Sequence, residues 1–170
     1  MKQILVLAIL VLSLSSCQQQ KIGFIDTGEI VNEYQAKKDL EDEFKGKKAL
    51  LDQKNDSISK AFQLEVQEFQ VASKRMAQAK AQEAYQALGQ KQQLLQQQIQ
   101  FSEQQFGQSF NVELDSVIIK VKDFAKDYGK KNGYTFILGT SDATSTVIYG
   151  EDDNDLTKTI LDALNTDYKK

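Results

Sequence analysis

The feature that most constrains the fold is a run of about a hundred residues, 28–131, with no proline and few turn signals. Its apolar residues recur every three or four positions, which is the period of an amphipathic helix. One helix of that length would extend for about 150 Å at about 1.5 Å per residue. Because the period continues through both halves of the run, we predict a helix that turns near the middle and returns as an antiparallel hairpin.

The two predicted arms form a coiled-coil seam of uneven quality. In the returning arm the apolar positions are most continuous from Phe110 to Tyr128, so the arms should pack best there and loosen toward the tip. We favour a tip at residues 74–82; Gly89 is the alternative turn, because glycine costs about 1 kcal/mol inside a helix. The apolar positions of the outgoing arm follow heptad spacing with one step of four: Phe44, Leu51, Ile58, Phe62, Phe69 and Met76.

The N-terminal residues indicate export from the cytoplasm. Lys2 precedes the apolar run Ile4–Leu14, and small residues follow up to Cys17. The run is too short to cross a bilayer as a helix, which needs about 20 apolar residues. Leu14-Ser15-Ser16-Cys17 resembles the lipobox of bacterial lipoproteins, which implies cleavage before Cys17 and lipid on its sulfur and amino group. The alternative is ordinary signal cleavage beside an unmodified cysteine.

We therefore expect residues 1–16 to be a lipoprotein signal peptide and residues 17–21 a tether that holds the protein to a membrane. Cys17 is the only cysteine, so a disulfide within the chain is impossible. The tether has no acidic residue directly after Cys17. By analogy with lipoprotein sorting, this favours the periplasmic face of the outer membrane.

Short β-like segments flank the helical run. Residues 22–26 predict a first strand, Tyr134–Leu138 a second and Thr146–Tyr149 a third, with the last two joined as a hairpin. Thr27 is expected to cap the helix after the first strand, and Asp155 to cap a C-terminal helix. The Asn132-Gly133 pair is the predicted stop signal of the long helical run.

The predicted fold class is α+β. A small β body of three short strands plus the C-terminal helix takes residues 22–40 and 132–170, and a long antiparallel α-helical coiled-coil hairpin takes residues 41–131. Such a body buries little and is marginal alone. The second strand is apolar on both faces, and the final helix can cover only one. We expect another subunit to cover the other face, and we assign the predicted subunit interface to Phe136, Ile137 and Leu138.

Charge is unevenly distributed along a chain whose formal net charge is −3. Between residues 69 and 101 the only acidic residue is Glu83, and ten of the twenty residues 86–105 are glutamine, which we interpret as a solvated helix face. A basic tip that contacts a binding partner is one interpretation; random scatter of surface charge is the other. The basic residues of this interval are Lys74, Arg75, Lys80 and Lys91.

Several kinds of catalytic site are excluded by composition. The chain has no histidine, its one cysteine is the expected lipid site, and it has no Gly-rich phosphate loop or metal-ligand spacing. The acidic run Glu151–Asp153 is interpreted as a solvated turn rather than a cation site. We predict no enzyme activity, no metal and no cofactor. Nucleic-acid binding is opposed by the net charge and by the exported location.

Three segments carry a family resemblance when they are taken in order around the helical hairpin. They are residues 22–26, residues 40–46, and Asp155-Leu156-Thr157 followed by Ile160 and Leu164. Over about residues 21–165 the chain resembles the Skp/OmpH family of periplasmic chaperones. The resemblance implies a jellyfish-like homotrimer, in which the body strands form a small barrel-like assembly and three hairpins hang as tentacles. It also implies that unfolded outer-membrane proteins are held between the tentacles.

Two functions follow as hypotheses. The first is a lipid-anchored holdase chaperone whose loosely packed arms bind unfolded outer-membrane proteins and prevent their aggregation, because weak packing lowers the cost of local opening. The second is a structural lipoprotein in which the coiled coil is a spacer at the cell envelope. A holdase should suppress the aggregation of a diluted, denatured β-barrel protein, whereas a spacer should not.

Overall fold

A computed structural model describes residues 20–169 of the chain; the expected signal peptide, Cys17 and most of the tether lie outside the described residues. The elements are β1 (Ile22–Asp26), α1 (Thr27–Glu33), α2 (Gln35–Ser73), α3 (Gln78–Lys131), β2 (Phe136–Thr140), a short 3-10 turn (Asp152–Asn154) and α4 (Thr157–Tyr168). The two long helices that the apolar period predicts are therefore present, with 39 and 54 residues. No helix in this part of the chain is long and apolar enough to cross a membrane.

The chain divides into two compact units. The hairpin unit is Tyr34–Ile119, and the body unit combines residues 20–33 with residues 120–169. α3 runs from one unit into the other without a break, so the division falls within a continuous helix.

The sheet of the body unit has two strands, not three. β1 and β2 pair in parallel from Ile22 beside Phe136 to Asp26 beside Thr140. Parallel pairing is possible because the strands are joined through the long helices, whereas a tight turn would make them antiparallel.

The predicted third strand, Thr146–Tyr149, is wrong for the described chain, and so is the hairpin between it and the second strand. Ile148 is 94% exposed and Tyr149 is 83% exposed. These two side chains therefore lie in solvent, and no strand within residues 20–169 supplies ladder hydrogen bonds to the segment.

The N-caps of the two short helices in the body unit each lie one residue from the predicted position. Asp26 caps α1, because its Oδ1 accepts a hydrogen bond from the Glu29 N–H at 2.9 Å. Thr27, the expected cap, instead lies inside the helix and donates through Oγ1 to the Thr140 carbonyl at 2.9 Å. Asp155 accepts from the N–H of Thr157, the first residue of α4, at 2.8 Å, but the N-cap of α4 is Leu156. The sequence identified both helix starts but misplaced each cap by one position.

The stop at Asn132-Gly133 has the geometry that the sequence predicts. Gly133 has φ +71°, in the left-handed region where glycine carries no Cβ penalty. The Tyr134 N–H then bonds the Gly129 carbonyl at 2.9 Å, which satisfies an otherwise open carbonyl at the end of α3. The chain turns here and enters β2.

The core of the body unit is small and tightly closed. A Cβ at Gly23 would lie 2.5 Å from Leu156 Cδ1, so β1 and the segment before α4 approach too closely for a side chain at that position. Thr157 is buried, and its Oγ1 accepts a hydrogen bond from the Asp26 N–H at 2.8 Å. The buried apolar residues of this unit are Ile25, Ile30, Val121, Ala125, Leu156, Ile160 and Leu164.

The hairpin unit is packed much more loosely. Its helices are antiparallel, because Phe44 contacts Phe106 and Phe110 whereas Phe69 contacts Tyr85. Residues 74–77 join the two helices, and α3 passes through Gly89 as regular helix. The buried residues of this unit are Tyr34, Leu40 and Phe44; no residue from 45 to 119 is buried.

Candidate functional site

Three of the four basic residues singled out in the sequence lie at or beside the turn of the hairpin unit. Lys74 and Arg75 are in the turn, and Lys80 is in the first turn of α3. All three are exposed, and none of them forms an ion pair within residues 20–169. They therefore form a group of free positive charges, which we call the basic turn.

Lys91 has a different environment. Its ammonium group forms an ion pair with Glu65 of the opposite helix, and both side chains are about half exposed. The pair joins the two arms well away from the turn. Lys91 is therefore not part of the basic turn, and its positive charge is matched by an acidic residue that lies outside the interval 69–101.

Polar residues that interrupt the seam are also paired between the arms. Asn55 donates through Nδ2 to Glu103 Oε1 at 3.1 Å, and Lys48 Nζ lies 3.6 Å from Glu103 Oε2. Lys48 also bonds Asp52 on its own helix, and this hydrogen bond raises the pKa of Lys48. These contacts hold the arms together where the seam lacks apolar residues, but exposed pairs of this kind contribute little stability.

An open groove lies between the arms of the hairpin unit, with a volume of about 800 Å³. Its rim carries amide side chains, namely Gln63, Gln67, Gln70, Gln92 and Gln96. Its apolar floor includes the seam residues Ile58, Phe62, Phe69, Leu88, Leu95 and Ile99. The sequence analysis assigned these apolar residues to the seam but did not predict that the seam stays open.

At this groove the facing side chains of the two arms do not fill the space between them. Phe69 and Tyr85 have ring centroids 6.5 Å apart, and Tyr85 remains 70% exposed. Gly89 lines the groove, and a Cβ placed on it would meet nothing within 4 Å. Interruption of the seam by Gln92 and Gly89 is the sequence signal that could have indicated this opening.

A second apolar surface of the hairpin unit faces solvent along both helices. Large apolar residues that recur on one exposed helix face are candidates for a binding surface. In α2 three of these residues lie at intervals of fourteen and seven residues, which are multiples of the heptad: Leu50, Leu64 and Val71. In α3 four lie at intervals of seven, eleven and seven residues, which also keeps one helix face: Leu94, Phe101, Val112 and Ile119.

The body unit exposes its own apolar patch. Of the three predicted interface residues, Phe136 and Leu138 are exposed. Ile137 is turned toward α3: a Cβ added to Gly129 of that helix would lie only 3.0 Å from Ile137 Cδ1. Alternate residues of a strand point to opposite faces, so the two groups lie on different sides of the sheet. We call the exposed group the body patch; its members are Ile22, Phe136, Leu138, Ile148 and Tyr149.

The described residues contain no group of three or more His, Cys, Asp or Glu side chains that could hold a metal ion. The functional candidates in this part of the chain are thus surfaces: a basic turn, an amide-rimmed groove and exposed apolar rows, all carried on a loosely packed helical hairpin.

Comparison with protein families gives a match to the family described as outer membrane protein (OmpH-like), over residues 21–164. The chain belongs to this OmpH-like family. The matched interval agrees with the extent of the resemblance that the sequence motifs indicate. It contains the hairpin unit and most of the body unit.

The fold is similar to that of a solved OmpH-like structure. This is the crystal structure of a protein from Caulobacter crescentus CB15 assigned as an outer membrane chaperone (OmpH-like). The TM-score is 0.76 at 13% sequence identity, and the likeness covers 88% of this chain and 86% of the other. A comparison with curated proteins gives no significant match.

Proposed function

We propose that this OmpH-like protein is a holdase chaperone of the cell envelope that binds unfolded outer-membrane proteins between its helical arms. The observation that carries the proposal is the hairpin unit itself: residues 45–119 have no buried side chain, yet seven large apolar residues of the two rows face solvent. A surface of this kind offers many weak apolar contacts, and its loose packing allows local opening at low cost. Membership of the OmpH-like family supports the same role.

The proposal is tested by diluting a urea-unfolded β-barrel outer-membrane protein into buffer with increasing amounts of the purified chain. A holdase should abolish light scattering from aggregates at a near-stoichiometric ratio of chaperone to client. A structural lipoprotein that acts only as a spacer would leave the scattering unchanged at every ratio. That result would replace the holdase proposal with the spacer.

We also propose that the working form is a homotrimer held by the body unit. The body patch supports this assembly, because five large apolar residues in a small body remain exposed in a single chain. The segment 146–149 is exposed and has no strand partner within residues 20–169, so we propose that it contributes to the same assembly.

The first expected result concerns the anchor. We propose that lipid on Cys17 holds the mature protein at the periplasmic face of the outer membrane. Cys17→Ser should therefore abolish partition into detergent and leave an unlipidated form, because the thioether-forming sulfur is lost. The measurement is detergent phase separation followed by intact-mass analysis. A mature wild-type chain that begins at another residue and carries no lipid would contradict the proposal.

The second expected result concerns the basic turn, which we propose steers acidic segments of clients toward the arms. Substitution of Lys74, Arg75 and Lys80 together by glutamate should slow association with an acidic unfolded barrel protein at low salt, because like charges then repel. The difference should shrink as salt is added, since exposed charges are screened beyond about 8–10 Å at moderate ionic strength. The measurement is the association rate against salt concentration.

A matched control for the basic turn carries the same change of net charge elsewhere. In this control, glutamate replaces three exposed lysines away from the turn, namely Lys54, Lys60 and Lys126. The control variant should slow association less than the turn variant does. Lys91→Glu should behave differently from both, since it also breaks the pair with Glu65. Equal association rates for the turn variant and the control variant would assign the effect to net charge alone.

A further inference from the structure

The groove between the arms differs in charge from the rest of the chain. Charged residues make up 26% of the sequence, yet none of the 15 residues that line the groove is charged. The nearby ion pair of Glu65 and Lys91 lies outside the lining. A groove with this lining offers nothing to pair with an ionic group and would penalise one that lost its water, so its ligand is uncharged.

The chemistry of the rim adds a second constraint. Each glutamine amide offers both hydrogen-bond donors and an acceptor, and five of them border an apolar floor. An extended polypeptide carries the matching groups, because its backbone has free N–H and C=O groups while its side chains project to either side. A hydrocarbon chain would use only the floor and would leave these exposed amides bonded to water.

The length of the groove sets the size of the segment. Along α2 the lining runs from Ile58 to Gln70, which is about 18 Å at about 1.5 Å per residue. An extended chain advances about 3.3 Å per residue, so about five residues fit.

We propose that this groove binds one uncharged, extended segment of about five residues from an unfolded polypeptide, with apolar side chains on the floor and the backbone against the glutamine amides. The proposal rests on the proposed holdase function and adds a division of labour to it. The basic turn acts at long range and depends on salt, whereas the groove acts at contact range and does not. Outer-membrane β-strands alternate apolar and polar residues, which suits a groove with one apolar floor.

Two helical glycines make a matched pair of variants. Gly89 lines the groove, whereas Gly107 lies in the same helix outside it, and a Cβ at either position meets nothing within 4 Å. Leucine at either position should raise the melting temperature, because leucine is a far better helix former than glycine. Only Gly89→Leu also fills the groove. A structural effect of the substitution would therefore appear in both variants, and a binding effect in one.

The probe is a fluorescein-labelled eight-residue peptide that alternates Leu or Tyr with Thr or Ser, and its binding to the full chain is followed by fluorescence anisotropy. Gly89→Leu should weaken binding by about tenfold, the loss expected when an anchoring side chain can no longer be buried. Gly107→Leu should bind as the wild type does. Binding should be the same at low and high salt, and a peptide with Asp at the polar positions should bind more weakly.

A second pair tests the requirement for neutrality. Gln92→Glu keeps the side-chain shape but places a charge on the rim, and it should weaken binding of the neutral peptide. Gln98→Glu places the same charge on the same helix outside the lining and should have no effect.

Several results would overturn the proposal. Two concern peptide binding: equal binding by the two glycine variants, and equal binding of the neutral and acidic peptides. Two others concern the occupant of the groove: displacement of the peptide by a fatty acid that itself binds more tightly, and a change of oligomeric mass in Gly89→Leu. The last two would make the groove a hydrocarbon site or an interface between copies. Wild-type suppression of aggregation is measured in parallel. Its failure would remove the holdase function, whereas its persistence in Gly89→Leu without any loss would remove only the groove.

Discussion

Leu138→Asp is expected to yield a folded monomer under conditions in which the unmutated protein is a trimer. Leu138 belongs to the exposed body patch together with Phe136 and is 41% exposed, so a large part of its side chain lies outside the core of its own chain. In the proposed trimer the patch becomes buried. A carboxylate buried there without a partner would cost several kcal/mol at each of the contacts between subunits. Light scattering gives the mass, and circular dichroism shows whether the helices persist.

The neighbouring residue supplies the control. Ile137 lies on the other face of β2, against Gly129 of α3, so Ile137→Asp places the charge inside the body of its own chain. This variant should lower the melting temperature sharply, and any loss of trimer should follow from unfolding. A trimeric Leu138→Asp, or a monomeric wild-type protein, would contradict the proposed assembly.

Phe44→Ala is expected to destabilise the hairpin unit by about 3–5 kcal/mol, the usual cost of truncating a buried phenylalanine. Phe44 is only 4% exposed, and its ring lies 5.5 Å from that of Phe106 and 5.2 Å from that of Phe110. Removal of the ring therefore leaves two aromatic partners facing a cavity. The effect is measured as the change in free energy of unfolding by urea.

Phe69→Ala makes the same chemical change where the seam is open. Its one aromatic neighbour is Tyr85 at 6.5 Å, and the groove already gives its side chain room, so the cost should be much smaller. Hydrogen exchange should likewise be fast around residues 74–77 and slow around Phe44 and Val121. Equal costs for the two substitutions, or uniform protection along both helices, would refute the gradient of packing.

Local sequence patterns predicted much of this fold because local interactions determine the corresponding features. The apolar period specifies two long helices, and the Asn132-Gly133 stop depends only on residues within one turn of it. The loosening of the seam away from Phe44 is also visible in the sequence, since polar residues replace apolar ones at successive seam positions.

The features that the sequence did not predict depend on partners distant in the chain. Whether Thr146–Tyr149 forms a strand depends on a neighbouring strand edge, and the described part of the chain provides none for it. Which face of β2 is covered follows from the approach of Ile137 to Gly129, and apolar residues on both faces conceal that choice. Lys91 looked like a free charge because its partner, Glu65, is on the other arm.

The groove was missed for a related reason. Heptad spacing indicates which residues face the opposite arm, but it does not indicate whether the two sets of side chains fill the space between them. The glutamine-rich interval was interpreted as a solvated face, and its glutamines are exposed; two of them, Gln92 and Gln96, also border an apolar opening. Volume at a seam is a property of both arms together, so one arm alone cannot predict it.

The parallel pairing of β1 with β2 has a consequence for the order of folding. Ile22 pairs with Phe136, so the whole of both long helices lies between the two strands in the sequence. Closing so long a loop from an unordered chain carries an entropic cost, and contacts this distant in sequence form slowly. If the two long helices pair first, starting from the turn that joins them, the two strands are brought close together at little further entropic cost. The sheet should therefore form last, and during synthesis β1 stays unpaired until β2 has been made.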